Sequence, residues 1–310
     1  MDHLSMGVSN MKKFLKNIAI FFAIVAVVDF SIGKLFHYLQ ANMAGGRTGA
    51  EYYICERATE DVIIMGSSRA SHHYIPERIS EDLGISCFNG GQDGNGIILQ
   101  YGRWKMMSKR YTPKLVIYDV TPDFDLFEND NERYIDRLKP YCYNPEVRDY
   151  VCSLYPEEKL KLFSKLYRNN YKFLETLSDI LHNGKTTGYI PLYGKIRDEV
   201  VNAPENSERH YESPDREKCI YLKSLAEEIK EKGCELVFVV SPYWKSLDYD
   251  YSAIESIAKE LDVPLLNYSK CPLSYNREYF EDSVHLNDKG ANVFMGMLLN
   301  DLRQLFAFCG

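Results

Sequence analysis

DVIIMGSSRASHHY, Asp61 to Tyr74, decides how the rest of the chain is read. Four apolar residues, Val62 to Met65, run straight into Gly66-Ser67-Ser68-Arg69, and two histidines follow. A short apolar run bounded by glycine and small polar residues fits a strand buried on both faces. Comparable runs recur at Ile85–Phe88, Leu115–Val120, Leu236–Val240 and Val263–Leu266. Pro264 lies inside the last, which places that strand at an edge. Helical patterns separate most of them, at Ile75–Leu83, Gly96–Lys109, Ile220–Lys232 and Tyr251–Leu261, and a last helix spans Lys289–Phe306. Strands alternating with helices predict an α/β domain: a mostly parallel five-stranded sheet between helical layers, a three-layer α/β/α sandwich.

In such a sheet, ligands meet the chain just beyond the carboxyl ends of the strands. Ser67-Ser68 therefore reads either as a turn or as a nucleophile. A serine needs a base within hydrogen-bond reach, and the base needs an orienting carboxylate. Asp282-x-x-His285, before the last helix, offers both. Asp179-x-x-His182 has the same spacing but closes a helix far from any strand end. The Gly90 and Gly91 amides, after the second strand, suit an oxyanion because no side chain blocks approach. His72 and His73 open the next helix, where side chains point away from the strand end. Tyr243 and Trp244, after the fourth strand, read equally as pocket wall or core.

The order of these blocks resembles the SGNH/GDSL-type hydrolases, over roughly residues 58–310 less an insertion. The resemblance implies a flavodoxin-like fold, Ser68 as nucleophile, Asp282 and His285 completing the triad, and the Ser68 and Gly91 amides as oxyanion hole. Ser67 stands where aspartate is commoner, Asn89-x-Gly91 matches the second block, and Asn287 and Gly290 continue the last. The third block departs: Thr121-Pro122-Asp123 has no asparagine, and a carboxylate donates only when protonated. Arg69 and Thr121 are candidate third donors, and Asp123 is structural or a partner of Arg69. Gly-Ser-Ser behind an N-terminal anchor is similar to the membrane-anchored branch near the teichoic acid D-alanine transfer and alginate O-acetylation proteins. It implies a serine esterase or O-acyltransferase acting on small acyl esters, above all acetyl, of a cell-envelope glycan, with a membrane-bound acyltransferase as an expected partner. The alternative is a non-catalytic envelope polysaccharide assembly or binding protein on the same scaffold.

The remaining sequence sets compartment and exclusions. Lys12, Lys13 and Lys16 precede the apolar run Ile18–Val28, and Asp29 interrupts before Phe30, Ile32, Leu35 and Phe36. Residues 14–36 read as a single-pass anchor in preference to a cleaved signal. Residues 1–13 are then cytoplasmic and the domain is exported, periplasmic or extracellular. Residues 37–57 read as a connector and 58–310 as the hydrolase-like domain. Its insertion, 124–215, reads as a lid or substrate-binding excursion. One helix is expected there, Glu157–Leu181, stopping at Asn183-Gly184. The net charge of −7 and the lack of a basic, aromatic-interleaved stripe argue against nucleic acid. Eight cysteines without CxxC or zinc spacing predict no metal site, and no cofactor is expected.

Overall fold

The computed structural model of the chain describes residues 2–43, 45–127, 131–181, 187–201, 213–245 and 250–306. Five strands form one parallel sheet: β1 Val62–Gly66, β2 Cys87–Asn89, β3 Leu115–Asp119, β4 Glu235–Val240 and β5 Leu265–Asn267, in the order β2-β1-β3-β4-β5. Successive side chains feed two cores. Ile63, Met65, Val116 and Phe238 join one layer; Val62, Ile64, Ile117 and Val239 pack under the C-terminal helix Asp288–Leu305 in the other. This is the expected α/β/α sandwich; β5 is an edge strand, and Pro264 immediately precedes it. β1 is flanked by both β2 and β3, so the chain reverses its winding there, and the crevice opens at its carboxyl end.

The amino-terminal segments differ from the expected layout. Helix α1 spans Asp2–Ala41, and α2, Gly46–Glu56, follows almost at once. The residues read as a connector are therefore largely helical. α2 buries Glu51, Ile54 and Cys55 in the domain. Asn10–Ala41 within α1 is long and apolar enough to cross a membrane, with mean hydropathy 2.2 in its most apolar window.

The insertion also differs. The single helix expected over Glu157–Leu181 is broken into Glu158–Lys161, Lys165–Asn169 and Phe173–Leu181. The cause lies in α1. The Asp29 carboxylate accepts from the Ser164 hydroxyl at 2.5 Å and from the Lys165 and Leu166 N–H groups at 2.9 Å. Ser164 Oγ in turn accepts from Tyr167 N–H at 3.0 Å. A new helix thus starts where two caps satisfy its orphan donors. His182 and the Asn183-Gly184 stop lie outside the described residues. Asp179 accepts from Thr48 N–H at 2.7 Å and caps α2.

A buried ionic cluster ties α2 to the insertion. The Glu51 carboxylate lies 2.8 Å from Lys172, 3.2 Å from Arg137 and 4.0 Å from Arg103. Burial alone would push its pKa up; Lys172, Arg103 and Arg137 outweigh it and hold the carboxyl below its ordinary range. Glu51→Gln takes the carboxylate from the buried Lys172 ammonium, while Arg137 keeps Glu175 and Arg103 keeps the Gly90 carbonyl, and is expected to cost about 3–5 kcal/mol in denaturant unfolding of the detergent-solubilised chain. Glu146→Gln, which breaks a 2.7 Å pair with Lys109 on the surface, is expected to cost less than about 1 kcal/mol.

Candidate active site

β1 ends at Gly66, whose φ of +144° and whose approach to the Asp119 carbonyl, 2.7 Å from where a Cβ would lie, admit no side chain. The chain then turns into α3, Ser68–His73. Ser67 is its N-cap, accepting from Arg69 N–H at 3.4 Å, and its hydroxyl meets Thr121 Oγ1 at 2.5 Å. Of the two serines, Ser67 is thus spent on the turn. Ser68, first in the helix, projects into the crevice, and its N–H has no intrahelical partner.

The structure brings Ser68, His285 and Asp282 together. His285 Nε2 is 2.8 Å from Ser68 Oγ, and His285 Nδ1 is 2.9 Å from Asp282 Oδ2. A carboxylate only accepts, so Nδ1 carries the proton and Nε2 presents a lone pair to the hydroxyl. The other Asp282 oxygen accepts from the Val284 and His285 N–H groups at 2.7 and 2.8 Å. Burial raises the Asp282 pKa, but His285 and these amides outweigh it, and the net shift is downward. The side chains of His285 and Asp282 are 23% and 49% exposed, so the site opens to solvent.

The other predicted neighbours face inward. Asn89 Nδ2 donates to the Ala70 and Tyr74 carbonyls at 2.7 and 2.9 Å, and Asn89 Oδ1 accepts from Gly91 N–H at 2.9 Å. The Gly91 amide is therefore engaged in the resting structure. Its glycine identity follows from close packing: a Cβ would lie 2.4 Å from Ser71 N. Arg69 is fully buried. Its guanidinium stacks 3.6 Å from the Tyr243 ring centre, donates to Ser241 Oγ and the Ser241 carbonyl, and pairs with Asp119 at 3.8 Å, not with Asp123. Thr121 is committed to Ser67 and to Asp125, which accepts from Thr121 N–H at 2.6 Å. Asp123 is half-buried in the turn that follows, and its carbonyl accepts from Lys218 at 3.5 Å. Tyr243 and Trp244 are both buried, Trp244 with its ring 5.7 Å from Phe280.

Sequence reasoning missed the two histidines. His72 is four residues after Ser68, one helical turn on the same face, and its ring stands edge-on to His285 at 5.3 Å. Its Nδ1 donates to the Ile190 carbonyl at 2.7 Å. His73 reaches across the crevice. Its Nε2 accepts from the Leu286 N–H at 2.9 Å, which leaves Nδ1 to donate to Ser241 Oγ at 2.8 Å. The expectation that both point away fails because α3 is so short that its last residues still border the crevice. The i,i+4 spacing from Ser68 was the available signal.

The insertion also touches this site. Ile190 N–H donates to the Ser71 carbonyl at 2.9 Å, Asp288 N–H to the Leu192 carbonyl at 2.6 Å, and Asn287 Nδ2 to the Gly194 carbonyl at 3.1 Å. Residues 187–196 thus strap α3 to the loop carrying His285. Among the described residues no cluster of His, Cys, Asp or Glu has the arrangement of a metal site.

No known family profile matches the sequence, and no curated protein matches it. Solved structures do align. A family two carbohydrate esterase from Clostridium thermocellum, solved with cellohexaose, is 8% identical at a TM-score of 0.40, over 80% of this chain and 65% of that one. The chain spans less than two thirds of that esterase's length. An acetyl-xylooligosaccharide esterase from Geobacillus is 12% identical at 0.41, over 82% and 97%. A GDSL-like lipase from Bacteroides thetaiotaomicron is 12% identical at 0.36, over 88% and 98%.

Two outcomes are expected. Gly91→Ala pushes a methyl into Ser71 and shifts α3, and a displacement of about 1 Å is enough to lower turnover about a hundredfold; steady-state hydrolysis of an activated ester measures it. The second concerns His73, held neutral first by burial and then by Arg69, His285 and His72, with its pKa well below the ordinary value. The unfolded chain then binds the extra proton, so this stability is present above about pH 6.5 and is lost as pH falls below it. Asp125, pushed up to about 7 by burial against its hydrogen bonds, acts oppositely in the same window. The readout is therefore a difference: the urea midpoint of His73→Gln should fall less between pH 7 and pH 5 than that of the unchanged protein.

Proposed function

We propose that the protein is an envelope-anchored serine esterase or O-acyltransferase that acts on small acyl esters, above all acetyl, of a cell-envelope glycan. The observation that carries the reading is the unbroken Ser68–His285–Asp282 hydrogen-bond chain at the carboxyl end of β1. Asp282 fixes the His285 tautomer. His285 Nε2 takes the Ser68 proton as Oγ attacks the acyl carbonyl, then returns it to the departing alkoxide. The tetrahedral oxyanion is met by the Ser68 N–H, with the Gly91 N–H as second donor once it leaves Asn89 Oδ1. The acyl-serine is then released to water or to a glycan hydroxyl, with His285 as base again.

The anchor reading rests on the apolar helix Asn10–Ala41, and Lys12, Lys13 and Lys16 before its apolar run support an orientation with the N-terminus in the cytoplasm and the domain exported. A membrane-bound acyltransferase would supply acyl groups to the same serine. One observation favours a non-catalytic glycan-binding role: Arg69 and Thr121 face inward, so neither replaces the missing oxyanion donor.

A fluorophosphonate probe separates the two readings. It should label Ser68 in the full chain and fail on Ser68→Ala. In p-nitrophenyl acetate hydrolysis, Ser68→Ala and His285→Ala should each lose about a million-fold and Asp282→Ala about ten-thousand-fold, with the Ser68→Ala/His285→Ala pair no worse than either. His182→Ala should stay within a few-fold. A chain that neither labels nor responds to any of these substitutions is a binding protein.

A further inference from the structure

The strongest unassigned feature lies away from the crevice, where α1 leaves its apolar stretch. A cavity of about 280 Å³ opens between one face of α1 and the helix Lys165–Asn169. Gly33, His37 and Gln40 line it from α1 at helical spacing, together with Lys34; Tyr141, Lys165 and Arg168 line the opposite wall. Its polar groups are nearly all donors. The Gln40 side chain is buried and its Nε2 has no hydrogen-bond partner; the same holds for the Tyr141 hydroxyl and for Arg168 Nε. These three atoms are shut off from solvent, so they stand as unpaired donors behind the cavity wall.

The charges point the same way. Lys34 and Lys165 both sit over the Phe30 ring, at 4.8 and 3.8 Å, and among the described residues neither they nor Arg168 forms an ion pair. The nearest carboxylates are already committed. Asp29 caps the helix Lys165–Asn169, and Glu56 accepts from the Tyr143 hydroxyl. The cavity therefore presents cations and N–H donors with no acid among its lining residues.

Its depth is set by α1. Counting from Phe14, about 30 Å of helix at 1.5 Å per residue ends near Gly33, which matches the hydrocarbon thickness of a bilayer. Lys34, His37 and Gln40 then lie at headgroup level. The adjoining insertion exposes large apolar side chains at the same end: Leu160, Phe163 and Leu174 are 80%, 77% and 75% exposed. Isolated exposed apolar residues need no explanation, but a group of them beside a membrane helix reads as a surface that dips into lipid.

We infer that this cavity binds the phosphate of an anionic lipid headgroup, and that the helices Glu158–Leu181 seat the domain on the membrane around it. The inference rests on α1 as a membrane span and is independent of the chemistry at Ser68. Arg168 supplies a planar donor pair to phosphate oxygens, and Lys34 and Lys165 neutralise charge. The exposed apolar residues take the acyl side, which a free phosphate ion would leave unused.

The test uses the full chain in nanodiscs of phosphatidylcholine with an equal share of phosphatidylglycerol, released into detergent for native mass spectrometry. The unchanged protein should retain phosphatidylglycerol over phosphatidylcholine, and Lys34→Gln and Arg168→Gln should each lower that ratio about fivefold. Lys34→Gln should hydrolyse p-nitrophenyl acetate as the unchanged protein does. If Arg168→Gln fails to fold, Lys34→Gln decides the matter. Equal retention in the unchanged protein and Lys34→Gln overturns the site. Full displacement of the bound lipid by excess inorganic phosphate overturns the lipid assignment and leaves a free-anion site.

Discussion

The backbone N–H of Leu286 donates to a neutral histidine, His73, and the geometry of the crevice depends on that bond. His73 belongs to the helix that carries Ser68; Leu286 follows His285 directly. One buried hydrogen bond therefore joins the hydroxyl side of the site to the imidazole side, across a chain separation of more than two hundred residues. Its polarity is fixed on both ends. An amide can only donate, so Nε2 must accept, and the proton on Nδ1 must find the Ser241 hydroxyl. Ser241 follows β4 directly and is itself held by Arg69, so the Ser68 helix, the His285 loop and two strand ends form one buried polar network.

Such a network is stable only when nearly every member is satisfied, because a low local dielectric punishes an unpaired group as strongly as it rewards a paired one. Arg69 meets the requirement in part: Nε and Nη2 donate to Ser241, and Nη1 is buried without a hydrogen-bond partner. Its charge is balanced by Asp119, its face is covered by Tyr243, and Asp119 also accepts from Tyr74 at 2.5 Å. A residue that the motif order offered as an oxyanion donor is instead a brace beneath the nucleophile. The insertion acts similarly from outside. Its 187–196 segment bonds to α3 and to the 285–288 loop, so it supports the site in addition to bordering it.

Much of this was legible in the chain. The strands announced themselves as apolar runs because a parallel sheet covered on both faces leaves no polar alternation. Pro264 placed the edge. Ser68, Asp282 and His285 could be paired from their positions at strand ends, since the winding of a parallel sheet delivers those ends to one crevice. Asp179-x-x-His182, with identical spacing, lacked that placement, and Asp179 proves to cap α2. The helicity of residues 37–57 and the break in the insertion helix were not legible for a common reason: their partners are distant. Glu51 looks like a surface residue until Lys172, Arg137 and Arg103 surround it, and Asp29 looks like a flaw in an apolar helix until it caps Lys165 and Leu166.

The sequence by itself determined the α/β alternation, the apolar N-terminal helix and the candidate residues Ser68, Asp282 and His285, because these depend on local periodicity and on chain order. Only the tertiary structure decided which serine faces the crevice, which histidine meets it, and that the Gly91 amide rests on Asn89. It also decided that basic side chains from α1 and from the insertion, more than a hundred residues apart, share one cavity. Hydrogen bonds and ion pairs between distant segments leave no period in the sequence; they exist only once hydrophobic burial has brought the segments together.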